Sequence, residues 1–337
     1  MSEQGSIVAV FDALPRPNAG DGQRFAVTQV GQLTHCLIGK TTGGDPALLI
    51  GVLPAPPRDR PAPIVLEHVR VQHDVNCQVH RTDGTEQTAR FTVILCTDSD
   101  RMMQEYFLRS VSAVVLALGN GPTRADVVGA INTLVELFRS MGQVPRKSVQ
   151  GLWAELFVLA RASDPGAVIQ YWHSLPEDRY DFTAGVQRVE VKSSSSRNRS
   201  HHFSLEQVRP PSGTRVLVGS MFVEGAAGGT SVMELFEEVR AAAAQDVSSL
   251  LHLDRILHLS LGSSWRQGVE ERFDRQLAAV SLRFFDTNDI PAIDTPIPLE
   301  VSDLHFRVDL TNVPPVEITL AIAEGGLFQA ILRASRT

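Results

Sequence analysis

The sequence predicts an α+β protein whose centre is an α/β unit. Three observations predict it. The first hundred residues run in short β-branched and apolar segments separated by Gly, Pro and Asp. After Asp98 the apolar residues fall three and four apart, and between Ser148 and Gly225 a helical stretch is followed by strand-like ones. The resulting organisation is a β-rich module over 1–99, a helical connection over 100–147, an α/β core over 148–225 and a mixed helical and strand region over 226–337.

In the first segment the strands are "RFAVTQV", "THCLIGK", "PALLIGVL", "HVRVQHDVNCQVH" and "TARFTVILCT". The proline-rich "LPAPPRDRPAP", residues 53–63, lacks the backbone donors a sheet needs and reads as a loop. "DRMMQEYFLRSVSAVVLALG" and "TRADVVGAINTLVELFRSM" have helical spacing, with Asp100 and Thr123 as caps and Gly119 and Gly142 near the ends. A third helix, "SVQGLWAELFVLARA", begins at Ser148. The short "PGAVIQYWHS" and a polar turn "LPEDR" lead to strands near Tyr180–Thr183 and Gln187–Ser193. "HHFSLEQV" follows as strand or short helix, and then the apolar "TRVLVGSMFVEG" as a buried strand. The glycine-rich "GAAGGTS", residues 225–231, has no following lysine, so it is no phosphate-binding loop and reads as a hinge. Helices are expected at "SVMELFEEVRAAAAQ" and "VSSLLHLDRILHLS", and strands at "LAAVSLRFFDT", "HFRVDL" and "VEITLAI".

A chain of 337 residues with 43% hydrophobic content can bury a sizeable core. Cys36, Cys77 and Cys96 are odd in number and lack CxxC spacing, which points to a reducing cytoplasm rather than to disulfides or zinc. The longest apolar run, Val111 to Leu118, is far short of the roughly 20 residues that span a bilayer. No membrane partner is expected. The net charge of −7 argues against general polyanion binding, yet between Val186 and Val216 six basic residues (Arg188, Lys192, Arg197, Arg199, Arg209, Arg215) face two acidic ones (Glu190, Glu206). Such a locally basic segment is either a solvated loop or a surface for phosphate.

Within that segment, "VEVK" places Glu190 and Lys192 on one face of a strand, with Val189 and Val191 on the other. Alone, it reads as an amphipathic strand with a polar outer face. Asp181 lies nine residues before Glu190, and a hairpin through Thr183-Ala184-Gly185 brings the two carboxylates together. Paired carboxylates repel unless a cation joins them, and two carboxylates, a divalent ion and a lysine are what phosphodiester hydrolysis uses. Taken singly, Asp181 reads as a turn residue and Glu155 as a solvated helix position.

Asp181 followed by Glu190-Val191-Lys192 resembles the signature of the PD-(D/E)XK nuclease superfamily, over roughly Ser148 to Gly225. More narrowly, the helical "GLWAEL", Trp172 with "YDF", "VEVKSSSS" and "HHFSLEQV" resemble a bacterial family of PD-(D/E)XK motif proteins found in phage-defence gene clusters. The motif's proline is replaced here by Tyr180. The resemblance implies a restriction-endonuclease-like mixed-sheet core and an Mg²⁺-dependent DNA endonuclease, with Mn²⁺ able to substitute. It implies that Asp181, Glu190, the Val191 carbonyl and Glu155 hold the metal, that Lys192 positions the attacking water and that Gln207 orients substrate or lysine. Defence-operon proteins and a second copy of the chain are the implied protein partners. The alternative on the same fold is a catalytically silent DNA-binding or scaffolding subunit.

Ser193, Ser194 and Ser195, with Arg197 and Arg199, are expected to meet phosphate oxygens. His201 and His202 are adjacent on a strand, so they point to opposite faces and cannot readily share one ion; one faces the phosphate side. Trp153, Trp172 and Trp265 read as core or interface.

Overall fold

The computed structural model describes residues 7–18, 22–30, 33–51, 61–118, 123–142, 147–173, 178–243, 246–296, 298 and 300–333. Gly119 and residues 53–60 of the proline-rich loop lie outside the described residues, as do residues 175–177 of the turn "LPEDR". The chain divides into two compact units, Met1–Gln143 and Val144–Thr337.

The first unit contains α1 (Ile7–Asp12), β1 (Gln23–Val30), β2 (Leu33–Thr41), β3 (Pro46–Gly51), β4 (Ile64–Val65), β5 (Val69–Arg81), β6 (Glu86–Cys96), α2 (Arg101–Leu118) and α3 (Arg124–Met141). Its sheet runs β1-β2-β3-β6-β5-β4, and β5 also pairs in parallel with β1, which closes the ring. A bulge between Gln72 and Val75, with Asp74 at φ 54°, divides β5 so that its first half runs beside β4 and its second beside β1. Closure pairs strands that would otherwise be edges, and the interior is filled by Phe25, Val27, Leu37, Leu49, Val79, Phe91 and Val93. Thr123 caps α3 through a reciprocal capping box with Asp126.

The second unit opens with α4 (Val149–Arg161) and α5 (Pro165–Ile169), followed by β7 (Phe182–Ala184), β8 (Gln187–Ser194), β9 (Ser200–Ser204), α6 (Leu205–Val208) and β10 (Arg215–Phe222). Then come β11 (Gly225–Ser231), α7 (Val232–Ala242), α8 (Val247–Leu261), α9 (Trp265–Gly268), β12 (Arg272–Phe273), α10 (Arg275–Ser281), β13 (Arg283–Asp286), β14 (His305–Asp309), α11 (Ile318–Ala323) and α12 (Gly326–Ile331). The central sheet is mixed, in the order β13-β10-β8-β7: β7 and β8 form an antiparallel hairpin, β8 and β10 run parallel, and β13 is antiparallel to β10. A separate ribbon pairs β9 with β14, more than a hundred residues later in the chain.

Three expectations are corrected. Residues 225–231 form β11, not a hinge; Gly229 is required because a Cβ there would stand 2.2 Å from the Phe273 carbonyl oxygen on β12. The first half of "LAAVSLRFFDT" belongs to α10, started by Asp274, whose carboxylate accepts from the Leu277 N–H; only the second half is a strand. "VEITLAI" contributes α11 instead of a strand: its less exposed Ile318, Ala321 and Ile322 lie three and four apart, the spacing of one helix face.

Candidate active site

α4 starts at Ser148, whose hydroxyl accepts from the Gly151 N–H at 3.1 Å. From Leu152 to Ala160 every side chain is buried, Glu155 among them at 3% exposure. A carboxylate in such an apolar helix needs partners. Its Oε2 accepts from Trp172 Nε1 at 2.9 Å and lies 2.9 Å from His173 Nε2, while Oε1 accepts from Lys147 Nζ.

The β7–β8 hairpin turns at Gly185-Val186, where Gly185 has φ 55°. Its register sets Phe182 opposite Val189, so Asp181 arrives beside Glu190 and Val191, and its Oδ2 accepts from the Val191 N–H at 2.7 Å. Residues 171–173 run antiparallel to 181–183: the His173 N–H donates to the Asp181 carbonyl and the Thr183 N–H to that of Tyr171. His173 is held at φ 43°, a conformation non-glycine residues rarely adopt, with its ring turned to the carboxylates. Its Nε2 is 3.4 Å from Asp181 Oδ1. Lys147 Nζ reaches the same oxygen at 3.0 Å and His173 Nε2 at 2.7 Å. One donor atom each from Glu155, His173 and Asp181 thus lie within 4.8 Å of one another.

On β8, Glu190 and Lys192 share a face, as i and i+2 residues of a strand must, with Lys192 Nζ 2.7 Å from Glu190 Oε1. Gln207 locks the pair: its Nε2 donates to Glu190 Oε1 at 2.8 Å and its Oε1 accepts from Lys192 Nζ at 3.2 Å. Gln207 is itself fixed by a capping box with Ser204. The Phe203 ring lies 5.2 Å from Lys192 Nζ. Where a proline would stand in the motif, Tyr180 donates its hydroxyl to the Glu206 carbonyl at 2.8 Å, tying the hairpin to α6.

The two glutamates experience opposite fields. Burial raises the Glu190 pKa, and the neighbouring Asp181 charge raises it further, to about 7 despite Lys192. Burial also raises that of Glu155, but Lys147 and the hydrogen bond from His173 outweigh it and bring the group down to about 2. Lys147 loses affinity for its proton through burial and regains more from Asp181 and Glu155, so its pKa is raised. With three carboxylates and two lysines, the cluster carries one carboxylate in excess.

Of the residues singled out from sequence, Glu155, Asp181, Glu190, Lys192 and Gln207 are brought together through these contacts, with the Val191 N–H on Asp181. Ser193 Oγ accepts from Gln150 Nε2 on α4 at 3.0 Å, while Ser194 Oγ donates to the Ser196 carbonyl and Ser195 is exposed. Arg197 pairs with Glu224 at 2.8 Å. Arg199 and His201 are directed inward: Arg199 donates to the carbonyls of Ser220 and Ser281, and buried His201 sits 2.7 Å from Ser220 Oγ. His202 is exposed and lines an open cavity of about 510 Å³ with Arg179, Lys192, Gln207 and His305. Trp153, Trp172 and Trp265 are all fully buried.

Lys147 and His173 were not identified from sequence. Neither belongs to a spaced motif, although lysine occurs only at positions 40, 147 and 192, and two of the three stand here. The donor set fits a divalent cation: two buried carboxylates and an imidazole nitrogen suit Mg²⁺ or Mn²⁺, and the nitrogen favours Mn²⁺. Neither a curated protein nor a solved structure matches the chain. Residues 7–311 match the family described as "Putative PD-(D/E)XK family member, (DUF4420)", and it is to this family that the chain belongs.

Proposed function

We propose that the protein is a divalent-metal-dependent endonuclease that hydrolyses phosphodiester bonds in DNA, with Mg²⁺ as the working ion and Mn²⁺ as a substitute. One observation carries this reading: three buried carboxylates, Glu155 on α4, Asp181 just before β7 and Glu190 on β8, gather with Lys192. Buried carboxylates are clustered at a cost that structure alone does not require. The ion would be held by Asp181 and Glu155, with His173 and Glu190 beside them, and would polarise the phosphoryl oxygen and acidify a bound water.

The chain's own residues do the rest. Lys192 Nζ, steadied by Gln207 and Glu190, orients the attacking water and donates to the charge that develops on phosphate. Glu190, whose affinity for a proton is poised near neutrality, is suited to accept one at its carboxylate. Arg179 and His202, on the cavity beside Lys192, contact flanking phosphates. A phosphate-bearing polymer is favoured as substrate by Arg179, Lys192, His202 and His305 around that cavity, and DNA is the polymer proposed. A place in bacterial defence, a cytoplasmic setting, operon-encoded partners and a homodimer that cuts both strands extend the same proposal.

A second reading, a silent DNA-binding subunit, is favoured by Lys147, which already supplies positive charge to Glu155 and Asp181. Supercoiled plasmid incubated with Mg²⁺ or Mn²⁺ separates the two. Cleavage by the wild type that is lost in Lys192→Ala and Asp181→Ala supports the nuclease. Salt-sensitive DNA binding without cleavage, unaltered in both variants, supports the silent module.

A further inference from the structure

We infer that Lys147 is an internal competitor for the metal: its ammonium and a divalent ion take the same donor atoms, so the ion binds only as Lys147 swings out. The inference rests on the metal-dependent reading above. Three groups from separate parts of the unit converge on Lys147 Nζ: Glu155 Oε1, His173 Nε2 at 2.7 Å and Asp181 Oδ1 at 3.0 Å.

An ammonium meets these groups imperfectly. It has donors only, whereas His173 Nε2 is also 2.9 Å from Glu155 Oε2. If Nε2 carries the proton it donates to Glu155 and opposes Lys147; if it does not, it accepts from Lys147 and opposes Glu155. A divalent ion needs lone pairs alone, so the imidazole and both carboxylates can meet it together.

Lys147 is also the member of the cluster able to leave. It precedes the cap residue of α4 instead of lying within the helix, and its side chain is 28% exposed against 5% for Glu155 and 9% for Asp181. Charge favours departure: Glu155, Asp181 and Glu190 balance Lys192 plus a divalent ion, and retaining Lys147 would add an unmatched positive charge to the same oxygens. Displacement therefore sets the affinity of the site.

The test uses the full chain without nucleic acid. Mn²⁺ binding is measured by electron paramagnetic resonance at constant pH for the wild type, Lys147→Met, Lys147→Gln, Lys192→Met and Asp181→Asn. At least tenfold tighter Mn²⁺ binding is expected in both Lys147 variants, with a smaller gain in Lys192→Met. Unchanged or weaker binding in the Lys147 variants, while Asp181→Asn still abolishes it, would overturn the competition and leave the metal-dependent reading intact. An equal gain in Lys192→Met would also overturn it, since charge removal anywhere nearby would then suffice. No Mn²⁺ binding by any of these proteins would overturn both. A readout on the wild type covers variants that fail to fold: amine acetylation followed by mass spectrometry. Lys147 should become several-fold more reactive on addition of Mg²⁺, with Lys40 as internal reference, and an unchanged rate would refute displacement.

Discussion

Replacing Glu190 with glutamine is expected to stabilise the protein, and by an amount that depends on pH. The folded state raises the Glu190 pKa from 4.5 to about 7, through burial and then through Asp181, so between those values the folded protein binds the proton more tightly than the unfolded chain. Stability therefore falls as pH rises from about 4.5 to about 7, and above that the penalty for the ionised carboxylate is complete. At roughly 1.4 kcal/mol per pH unit the full penalty is up to about 3 kcal/mol. A glutamine whose carbonyl oxygen takes the place of Oε1 keeps the bonds from Gln207 and Lys192 and carries no charge to desolvate. The assay is urea unfolding with EDTA present, at pH 8 and near pH 4. A gain of up to about 3 kcal/mol at pH 8, or roughly 6–12 °C in Tm for a unit of this size, should vanish near pH 4. No gain at pH 8, or the same gain at both, would refute the assignment of Glu190 as the site's excess charge. Such a residue, costly to the fold, is what a functional site retains.

Glu155→Gln should act in the opposite direction, because the folded state lowers that carboxylate to about 2: its contribution is present above about 4.5 and lost as pH falls towards 2. The amide turns donors towards Trp172 and His173 or towards Lys147, and a loss of about 3 kcal/mol near pH 7 in the same urea assay is expected. His201 is held down to about 4 by burial and by Lys192 and Arg199, so stability should be full above about 6.5 and decline as pH falls towards 4. His201→Gln should remove that acid limb in a pH series of thermal melts. Gly185→Ala meets no heavy atom within 4 Å, so its cost is that of a left-handed residue alone, about 1 kcal/mol by urea unfolding.

The elements were largely legible because local periodicity governs them: the strands of the first unit, the cap at Thr123, the helix that starts at Ser148 and the β7–β8 hairpin follow from spacing and turn residues. Leu277 to Ser281 and Val316 to Ile322 read as strands from sequence and are helical in the folded chain, the first because the Asp274 cap starts a helix there. At the site, a strand's two-residue period was enough to put Glu190 and Lys192 together. No comparable period connects His173 or Lys147 to them. His173 enters through a left-handed backbone turn, and Lys147 through the segment before a helix cap.

The order of carboxylates, the hairpin that joins Asp181 to Glu190 and the face shared by Glu190 and Lys192 were determined by sequence alone, since each is a consequence of short-range backbone geometry. Tertiary structure decided which charges meet. Packing α4 against the sheet buried Glu155, pairing of 171–173 with 181–183 turned His173 inward, and together they left Lys147 Nζ amid three donor groups. Electrostatic neighbourhood is set by distances between remote segments, and those exist only once the core has closed.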